Sequence, residues 1–380
     1  MSVNIRILHM IGSLGIGGSQ AFIMNIYRKI DRDKIQFDFI VDSFEGNYYV
    51  NEIKKMGGRV FFSPKFNGKN YFKVARFWKN FFIQHKEYKI LHSHVRSYAS
   101  IYLPIARSFG VKTIIHSHST SNGKGIRAAF KGILQFPLRY QADYYLACSK
   151  EAGEWLFGKK ICRSKKFQTL NNAIDTNKYI FNEEGRKKIR REFSLQDEFV
   201  LGYLSRVTAA KNPIFVIDVM KELLEIIPKA KLLFVGGGEL LFAVKEKIKK
   251  LGLEEKVVIT GPRTDVGDLM SSMDCYILPS VWEGLGISLI EAQASGLPCV
   301  CSEAIQNEAI ITNLVHRYSL KLGAKTWAKA ISTLKQAQRR DMSADIKRAN
   351  FDINDTIYKL INIYDALIID NSYNKAIMTK

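Results

Sequence analysis

Two glutamates in the second half of the chain have the neighbours that chemistry at a bound anion requires. Seven residues separate Glu283 from Glu291, and a glycine-bearing turn at 284–286 follows the first glutamate. The surrounding run, residues 276–298, has the pattern of a strand, a turn and a helix. Free backbone amides and two carboxylates are therefore expected at one helix N-terminus. Glutamates at this spacing are not by themselves the signature of a hydrolase.

Two cations follow a strand earlier in the same half of the chain. Arg206 and Lys211 lie five residues apart, after the strand-like run FVLGYLS and before Asn212-Pro213, where a helix is predicted to begin. A forked guanidinium and a compact ammonium that converge near a helix start suit a diphosphate, whose charge they neutralise without a metal ion. Each cation taken alone is more often a solvated surface residue.

Two glycine-rich turns each follow a predicted strand and open a predicted helix. They span residues 12–18 and 236–238. Glycine lets backbone amides approach a phosphate at a helix N-terminus, although such turns also occur for purely structural reasons. The first turn lacks the Gly-x-Gly-x-x-Gly spacing of a dinucleotide-binding loop, so a nicotinamide or flavin cofactor is not predicted.

Paired histidines pose a different possibility. His92 and His94, like His116 and His118, stand two residues apart in strand-like runs, so each pair shares one strand face. Two such strands could assemble a zinc site. No carboxylate or cysteine is patterned beside them, and the five cysteines are scattered. The interpretation we favour is two strand ends beside a ligand, with His118 functional, the other histidines supporting it, and no metal site.

Strand-like apolar runs alternate with helical patterns along the whole chain, which is typical of parallel sheets with helices on both faces. The rhythm restarts after residue 185, so two doubly wound domains are predicted, residues 1–172 and 173–353. In open parallel sheets, ligands bind beyond the carboxyl ends of the strands. The loops after these strands are therefore where the chemistry is expected.

The positive charge of the chain is concentrated in its first half. The net charge is +21, and residues 1–175 carry 28 Lys and Arg against 11 Asp and Glu. Residues 54–89 interleave cations with aromatic side chains, and residues 124–139 repeat this pattern more weakly. Such stretches suit an anionic membrane surface. A helix that packs its aromatic residues in the core and leaves its cations in solvent remains an alternative, and the charge alone also permits nucleic acid.

At residues 276–298 the sequence resembles the retaining GT-B glycosyltransferases of family 4, also called group 1, in the branch that builds bacterial exopolysaccharide and capsule. The resemblance runs the whole length of the chain. It implies two Rossmann-like domains that face a central cleft, the first for the acceptor and the second for the donor, and a C-terminal helix, residues 354–380, that crosses back to the first domain. It is carried by the Gly17-Gly18 turn, His118 after a strand, Cys148-Ser149-Lys150-Glu151, Asn171-Asn172-Ala173-Ile174-Asp175, Arg206 with Lys211, the Gly236 turn, and DVGDLMSSMDCYILPS before the two glutamates.

The resemblance also implies roles for individual residues. Glu283 and the amides of residues 284–287 are expected to hold the hydroxyls and β-phosphate of the donor, and Glu291 its ribose. The loop around Arg263 is expected to contact the base. The implied catalytic residues are His118, Glu283, Arg206 and Lys211. The implied donor-binding residues are Gly17, Gly18, Gly236, Gly238, Arg263, Gly284, Leu285, Gly286, Ile287 and Glu291.

The function implied is a metal-independent, retaining hexosyltransferase that uses a nucleotide diphosphate sugar, with a UDP-sugar as the first candidate, and a lipid-linked saccharide acceptor. No cofactor beyond this donor substrate is expected. Two rival functions share features of the sequence: a nucleotide-sugar 2-epimerase has the same fold, and a nucleic-acid-binding protein would use the same charge. No run approaches the roughly 18 apolar residues of a spanning helix. We therefore expect a cytoplasmic protein, peripheral on the inner face of the plasma membrane.

Overall fold

The computed structural model describes residues 5–15, 17–43, 48–118, 126–335 and 339–378, with side chains left aside at 126–130 and 370–378. The chain divides into two compact units. The first contains Met1–Ala173 and Ile353–Lys380, and the second contains Ile174–Asp352. The C-terminal helix therefore belongs to the first unit, although the second unit precedes it in the chain.

The first unit is built on a parallel seven-stranded sheet. Its strands are β1 (Ile5–Met10), β2 (Ile35–Val41), β3 (Val60–Phe62), β4 (Ile90–Ser93), β5 (Lys112–Ser117), β6 (Tyr144–Ala147) and β7 (Phe167–Thr169). Their spatial order is β3-β2-β1-β4-β5-β6-β7, so the chain reverses its direction of travel between β1 and β4. In the register of β1, Ile7 lies beside Phe37 of β2 and Ile90 of β4. The reversal point is where this class of sheet binds ligands.

Helices cover both faces of this sheet because successive strand residues point to opposite sides. Ile7 packs with the helix that follows β1 and with the final helix, Ile353–Met378, whereas Leu8 packs on the opposite face. Trp78 and Tyr102 stack on that opposite face with ring centroids 4.6 Å apart. The helices are α1 (Gly18–Lys29), α2 (Val50–Lys55), α3 (Tyr71–Gln84), α4 (Ala99–Ser108), α5 (Ile126–Gln135), α6 (Leu138–Gln141), α7 (Lys150–Phe157) and α8 (Lys159–Cys162).

The second unit repeats the architecture with a parallel six-stranded sheet. Its strands are β8 (Val200–Leu204), β9 (Lys231–Val235), β10 (Val257–Gly261), β11 (Cys275–Leu278), β12 (Cys299–Ser302) and β13 (Val315–Tyr318). The order is β10-β9-β8-β11-β12-β13, with the reversal between β8 and β11. Its helices are α9 (Glu183–Glu192), α10 (Pro213–Leu224), α11 (Leu241–Lys250), α12 (Val266–Ser272), α13 (Ile287–Ala294), α14 (Gly323–Thr333) and α15 (Ser343–Arg348).

Local sequence explains where several of these helices begin. Ser149 caps α7, since its side-chain oxygen accepts a hydrogen bond from the Ala152 amide. Asn182 caps α9 in the same way through the Glu184 amide. Pro213 occupies the first turn of α10, where the missing N–H of proline costs nothing. The predicted fold class, two Rossmann-like doubly wound parallel sheets, is confirmed.

The structure shows which residues of the two basic aromatic stretches are buried and which are exposed. In α3, the apolar residues Trp78, Phe81 and Phe82 are buried against the sheet, and Phe72 at the start of the helix is 82% exposed. The core-packing alternative therefore holds for most of α3. The second stretch, whose residues 124–130 lie outside the described side chains, leaves more apolar surface in solvent at Ile133, Phe136 and Tyr140. In the part of the chain that the structure describes, no helix has the length and apolar character needed to cross a bilayer.

Candidate active site

The charged residues predicted from the second half of the sequence meet at the reversal point of the second sheet. Arg206 and Lys211 lie in the loop that follows β8, and Glu283 lies in the loop that follows β11, the strand next to β8. The amides of Val281 and Trp282 both donate to the Ala210 carbonyl oxygen, at 2.9 and 3.3 Å. These backbone bonds join the two loops and bring Lys211 to Glu283.

Lys211 and Glu283 form a largely buried ion pair. The Lys211 ammonium donates to Glu283 Oε2, and the two side chains are 17% and 8% exposed. Ser280 Oγ donates to the same carboxylate oxygen at 3.1 Å, and the Gly284 amide donates to Oε1 at 3.2 Å. Ser280 is itself held through its carbonyl oxygen, which accepts from Ser302 Oγ at 2.5 Å. The carboxylate is thus fixed by three donors before any ligand arrives.

Arg206 differs from Lys211 because its side chain is exposed and makes no hydrogen bond or ion pair with the residues that the structure describes. Its backbone is firmly placed: the amide of Ser205 donates to the Val235 carbonyl oxygen at 3.1 Å, and the amide of Val207 donates to the Gly237 carbonyl oxygen at 2.9 Å. A fixed backbone with a solvated guanidinium suits a group that engages an incoming anion.

The glycine turn after β9 has a packing role that the sequence analysis did not predict. A Cβ on Gly236, whose φ is +134°, would lie 2.0 Å from the Ser205 carbonyl oxygen. Gly238 faces the carbonyl oxygen of Val207 in the same way, at 2.5 Å. These glycines let the β9 turn pack directly on the backbone beside Arg206, so the structure places them next to the predicted donor site and explains them by steric fit.

The N-terminus of α13 lies directly after Glu283. Gly286 precedes the helix with φ +79° and ψ +54°, a left-handed conformation that glycine adopts readily, and no side chain caps the amides that follow. Gly284 is exposed, and Leu285 and Ile287 are partly buried. Uncapped amides at the positive end of a helix dipole favour an anion such as a phosphate.

Glu291 lies one turn into α13 and has a partner that the sequence did not reveal. Tyr179, at the end of the 3-10 turn Thr176–Lys178, donates its hydroxyl to Glu291 Oε1 at 2.6 Å. Burial raises the pKa of the Glu291 carboxyl, and the Tyr179 hydrogen bond opposes that rise. The Tyr179 hydroxyl therefore orients the carboxylate to accept further hydrogen bonds. Burial disfavours the ionised form of this carboxylate, and hydrogen bonds from the hydroxyls of a ligand offset that cost.

Arg263 is engaged by neighbouring carboxylates. Its guanidinium donates to both oxygens of Glu192, at 2.7 and 3.1 Å, and to both oxygens of Asp265, at 2.9 and 2.7 Å. It also lies over the Phe193 ring, 5.6 Å from the centroid. The two carboxylates raise the pKa of Arg263 further, through these hydrogen bonds. The Arg263 side chain thus ties the 261–265 loop to α9.

The first unit contributes two predicted features at the ends of its strands. Gly17 is the N-cap of α1 and Gly18 its first residue, and a Cβ on Gly18 would meet nothing within 4 Å. Among the described residues, no side chain caps this helix end either. His118 is the first residue after β5, and its Nε2 lies 2.8 Å from Nδ1 of His94. Burial lowers the pKa of His118 to about 3, so its imidazole is neutral at pH 7.

The residues missed from the sequence are those brought in by distant parts of the chain. Tyr179, Ser280 and His9 carry no local motif, and Tyr364 of the final helix bonds His92 across 272 positions, at 2.8 Å. His9 has one detectable signal: it is the polar residue nearest the end of strand β1, which leads into the first glycine-rich turn. Otherwise no local sequence pattern marks these partners.

Comparison with known proteins adds independent information. The model for Glycosyltransferase Family 4 matches residues 16–178, and the model for Glycosyl transferases group 1 matches residues 185–352. The chain is 29% identical to the putative glycosyltransferase EpsF of Bacillus subtilis over 372 residues, which is 95% of this chain and 96% of EpsF. It is 23% identical to an Escherichia coli UDP-Gal:α-D-GlcNAc-diphosphoundecaprenol α-1,3-galactosyltransferase over 63% of this chain and 64% of that enzyme.

The fold has close counterparts among solved structures. Anabaena HepE, solved in complex with UDP and glucose, superimposes with a TM-score of 0.75 over 96% of this chain and 100% of HepE, at 18% sequence identity. At that identity the likeness establishes the fold. The two family models match successive parts of the chain, and together they cover most of both doubly wound units. The chain therefore belongs to the GT-B glycosyltransferases of group 1.

Proposed function

We propose that this glycosyltransferase moves a sugar from a UDP-sugar to a lipid-linked saccharide, with retention of anomeric configuration, in the synthesis of bacterial exopolysaccharide or capsule. The observation that carries the proposal is the set of groups at the reversal point of the second sheet. A buried Lys211–Glu283 pair, an exposed Arg206 and the uncapped end of α13 lie on adjoining loops. Cations and amides of this kind stabilise a departing diphosphate.

The donor would be held mainly by charge and backbone. Arg206 and the first amides of α13 bind the diphosphate, and Lys211 turns from Glu283 toward the phosphate oxygens. The freed carboxylate of Glu283 then accepts hydrogen bonds from sugar hydroxyls, while Glu291 accepts from the ribose. After this exchange Lys211 pairs with the phosphate, and the Glu283 carboxylate is hydrogen-bonded by the sugar hydroxyls together with Ser280 and the Gly284 amide. The exchange asks for no metal ion on the diphosphate.

We propose the following chemical step. The bond from the anomeric carbon to the β-phosphate oxygen breaks, and the acceptor hydroxyl attacks from the face that the leaving group vacates. The hydroxyl proton passes to the departing diphosphate, so no protein nucleophile or base is required. The basic side chains and the helix end stabilise the charge that develops on the leaving group.

A UDP-sugar and a lipid-linked acceptor are supported by two of the relatives. The Escherichia coli enzyme uses UDP-Gal and a diphosphoundecaprenol-linked sugar, and HepE was solved with UDP. In this chain, the exposed apolar residues Ile133, Phe136 and Tyr140 form a patch on α5 and α6. The rings of Phe136 and Tyr140 lie 6.4 Å apart, and Arg139 stacks on Phe136 at 5.0 Å. Such a patch suits attachment to an anionic membrane that carries the acceptor.

The donor assignment is tested by thermal unfolding in the presence of EDTA. Wild type, Glu291→Ala and the exposed control Glu303→Ala are each titrated with UDP-, GDP- and ADP-sugars. We expect UDP-sugars to stabilise wild type and the control but not Glu291→Ala. The stereochemistry is then read by NMR of the product formed with a polyprenyl-diphosphate sugar. An inverted product, or conversion of the donor to its 2-epimer without acceptor, would contradict the proposal.

The membrane assignment needs a separate experiment. Sedimentation with anionic and neutral liposomes is compared for wild type, for Phe136→Ser combined with Tyr140→Ser, and for Phe242→Ser, an equally exposed apolar residue on α11 of the second unit. We expect only the double variant to lose binding to anionic liposomes. The nucleic-acid alternative would be favoured if the protein bound duplex DNA more tightly than anionic liposomes of comparable charge and if the double variant bound that DNA like wild type.

A further inference from the structure

Five of the seven histidines form one cluster inside the first unit. His9 stands on β1, His92 and His94 on and directly after β4, and His116 and His118 on and directly after β5. The three strands are neighbours, and His9 and His92 are direct register partners. His9, His92 and His116 are completely buried, His94 is 9% exposed and His118 is partly exposed. Four of these residues stand in two pairs in the sequence, and His9 was not among the predicted site residues.

The rings are joined by hydrogen bonds in two chains. One runs from His118 Nε2 to His94 Nδ1 at 2.8 Å, and from His94 Nε2 to His9 Nδ1 at 3.1 Å. The other runs from His116 Nδ1 to His92 Nε2 at 3.3 Å, and from His92 Nδ1 to the Tyr364 hydroxyl at 2.8 Å. His116 Nε2 and His118 Nδ1 are buried and have no partner among the described residues. A buried ring nitrogen without a partner requires an explanation.

We propose that His94, His116 and His118 bind one divalent transition-metal ion, with zinc as the best match. The ligand atoms of these three residues lie within 4.8 Å of one another. His94 Nδ1 and His118 Nε2 face each other at 2.8 Å, and His116 offers its unpartnered Nε2. Tetrahedral zinc with bonds of about 2.0 Å needs nitrogens about 3.3 Å apart, so the first two rings separate by roughly 0.5 Å on binding.

The outer hydrogen bonds fit this ligand set. If Nδ1 of His94 and Nε2 of His116 bind the metal, their remaining N–H groups donate to His9 Nδ1 and His92 Nε2 over the distances already observed. His92 then donates its own Nδ1–H to the Tyr364 oxygen. His118 Nδ1–H is left for the side chain of Asn172, whose buried Oδ1 also lacks a partner in the described part of the chain. Metal-binding histidines are usually oriented by acceptors of this kind.

The chemistry of the cluster selects the ion. Three imidazoles without a carboxylate suit zinc, copper or nickel and do not suit magnesium, calcium or manganese. The partly exposed His118 leaves an open side for a water molecule as the fourth ligand, whereas the alternative group of His9, His92 and His94 is more deeply enclosed. All three proposed ligands belong to the first unit.

The test uses full-length protein without a polyhistidine tag. Each protein is equilibrated with Zn²⁺, passed through a desalting column and measured by mass spectrometry for metal per chain. We expect one zinc per chain in wild type and in His85→Gln, since His85 lies outside the cluster and bonds Glu87. His116→Gln should lose zinc or bind it at least 100-fold more weakly. His92→Gln, which removes an outer hydrogen bond, should weaken binding about 10- to 100-fold.

A second readout guards against loss of folding in the variants. Co²⁺ added to metal-free wild type should give the visible absorption of tetrahedral cobalt and raise the melting temperature, and neither effect should occur with Mg²⁺. Failure of wild type to retain zinc or to give the cobalt spectrum overturns the proposal, as does a folded His116→Gln protein that retains zinc like wild type. Metal content and spectrum do not depend on sugar transfer, so this outcome is independent of the proposed function.

Discussion

The buried Lys211–Glu283 pair allows a prediction whose size follows from the structure. In Lys211→Met, a side chain of similar length replaces the ammonium and leaves the Glu283 carboxylate, only 8% exposed, without its cation. Removing one partner of a buried pair typically costs about 3–5 kcal/mol, because the remaining charge is neither solvated nor compensated. Ser280 Oγ and the Gly284 amide still donate to this carboxylate. We therefore expect the lower end of that range, about 3 kcal/mol.

Calorimetry measures this cost as a shift in the unfolding transition of the second unit. For a unit of this size, about 3 kcal/mol corresponds to roughly 6–12 °C in melting temperature. Lys247→Met is the matched control, because Lys247 pairs with Asp218 at 2.6 Å with side chains 24% and 42% exposed. An ion pair as exposed as this one contributes about 0.2–1 kcal/mol to stability. In enzyme assays, Lys211→Met should also lower kcat/KM on the order of 100-fold, as expected when a donor to the leaving group is lost.

The double variant Lys211→Met with Glu283→Gln decides whether burial of an uncompensated charge is the cause. Neutralising the carboxylate should recover most of the lost stability and none of the activity. The reasoning is refuted if Lys211→Met costs no more than Lys247→Met, or if the double variant is no more stable than Lys211→Met alone. The first result would mean that the pair is solvated, and the second that the loss comes from packing around the lysine stem.

Other changes test the same site. Glu291→Gln should raise the melting temperature of the free protein at pH 7, because burial raises the pKa of Glu291 and its ionised form therefore opposes folding. The difference in melting temperature from wild type should shrink as the pH falls through that pKa, since the wild-type carboxylate then becomes protonated. Tyr179→Phe removes the hydrogen bond that opposes the rise, so UDP-sugar affinity measured by calorimetry should begin to fall at a higher pH than in wild type. Gly236→Ala should cost roughly 3 kcal/mol in urea unfolding, given a Cβ 2.0 Å from the Ser205 oxygen and φ of +134°. Gly237→Ala, whose nearest contact is at 3.4 Å, should cost less than about 1 kcal/mol.

The pattern of apolar residues and the residues that start and end helices were enough to predict the fold class. Buried parallel strands need continuous apolar runs, and such runs mark the two sheets in the sequence. A helix was predicted to begin at Asn212-Pro213, and α10 begins at Pro213. Placement of the chemistry followed from one topological rule, that ligands bind beyond the carboxyl ends of parallel strands. This rule put Arg206, Lys211 and Glu283 in loops that follow strands, and the strand order of the structure makes those loops neighbours.

The parts that could not be predicted depend on which distant surfaces meet. Tyr179 bonds Glu291 across 112 positions, and no pattern in either segment marks the pair. The aromatic residues of α3 look the same in the sequence whether they face lipid or the core, and only the position of the sheet puts Trp78 inside and Phe72 in solvent. The loop around Arg263 was expected to contact the base, and nothing in the sequence indicates that the Arg263 guanidinium bonds Glu192 of α9, 71 positions away.

If the proposed function holds, the charge arrangement at the second sheet makes a donor with a diphosphate necessary to separate Lys211 from Glu283. Before binding, Lys211 and Glu283 neutralise each other, and Arg206 is the solvated cation beside them. A sugar without a diphosphate offers Lys211 no alternative partner, so the carboxylate stays occupied and the sugar hydroxyls find no acceptor. A diphosphate supplies that partner, and its affinity is then coupled to the release of Glu283 toward the sugar. Recognition of the sugar therefore depends on recognition of the leaving group, which restricts the site to activated donors.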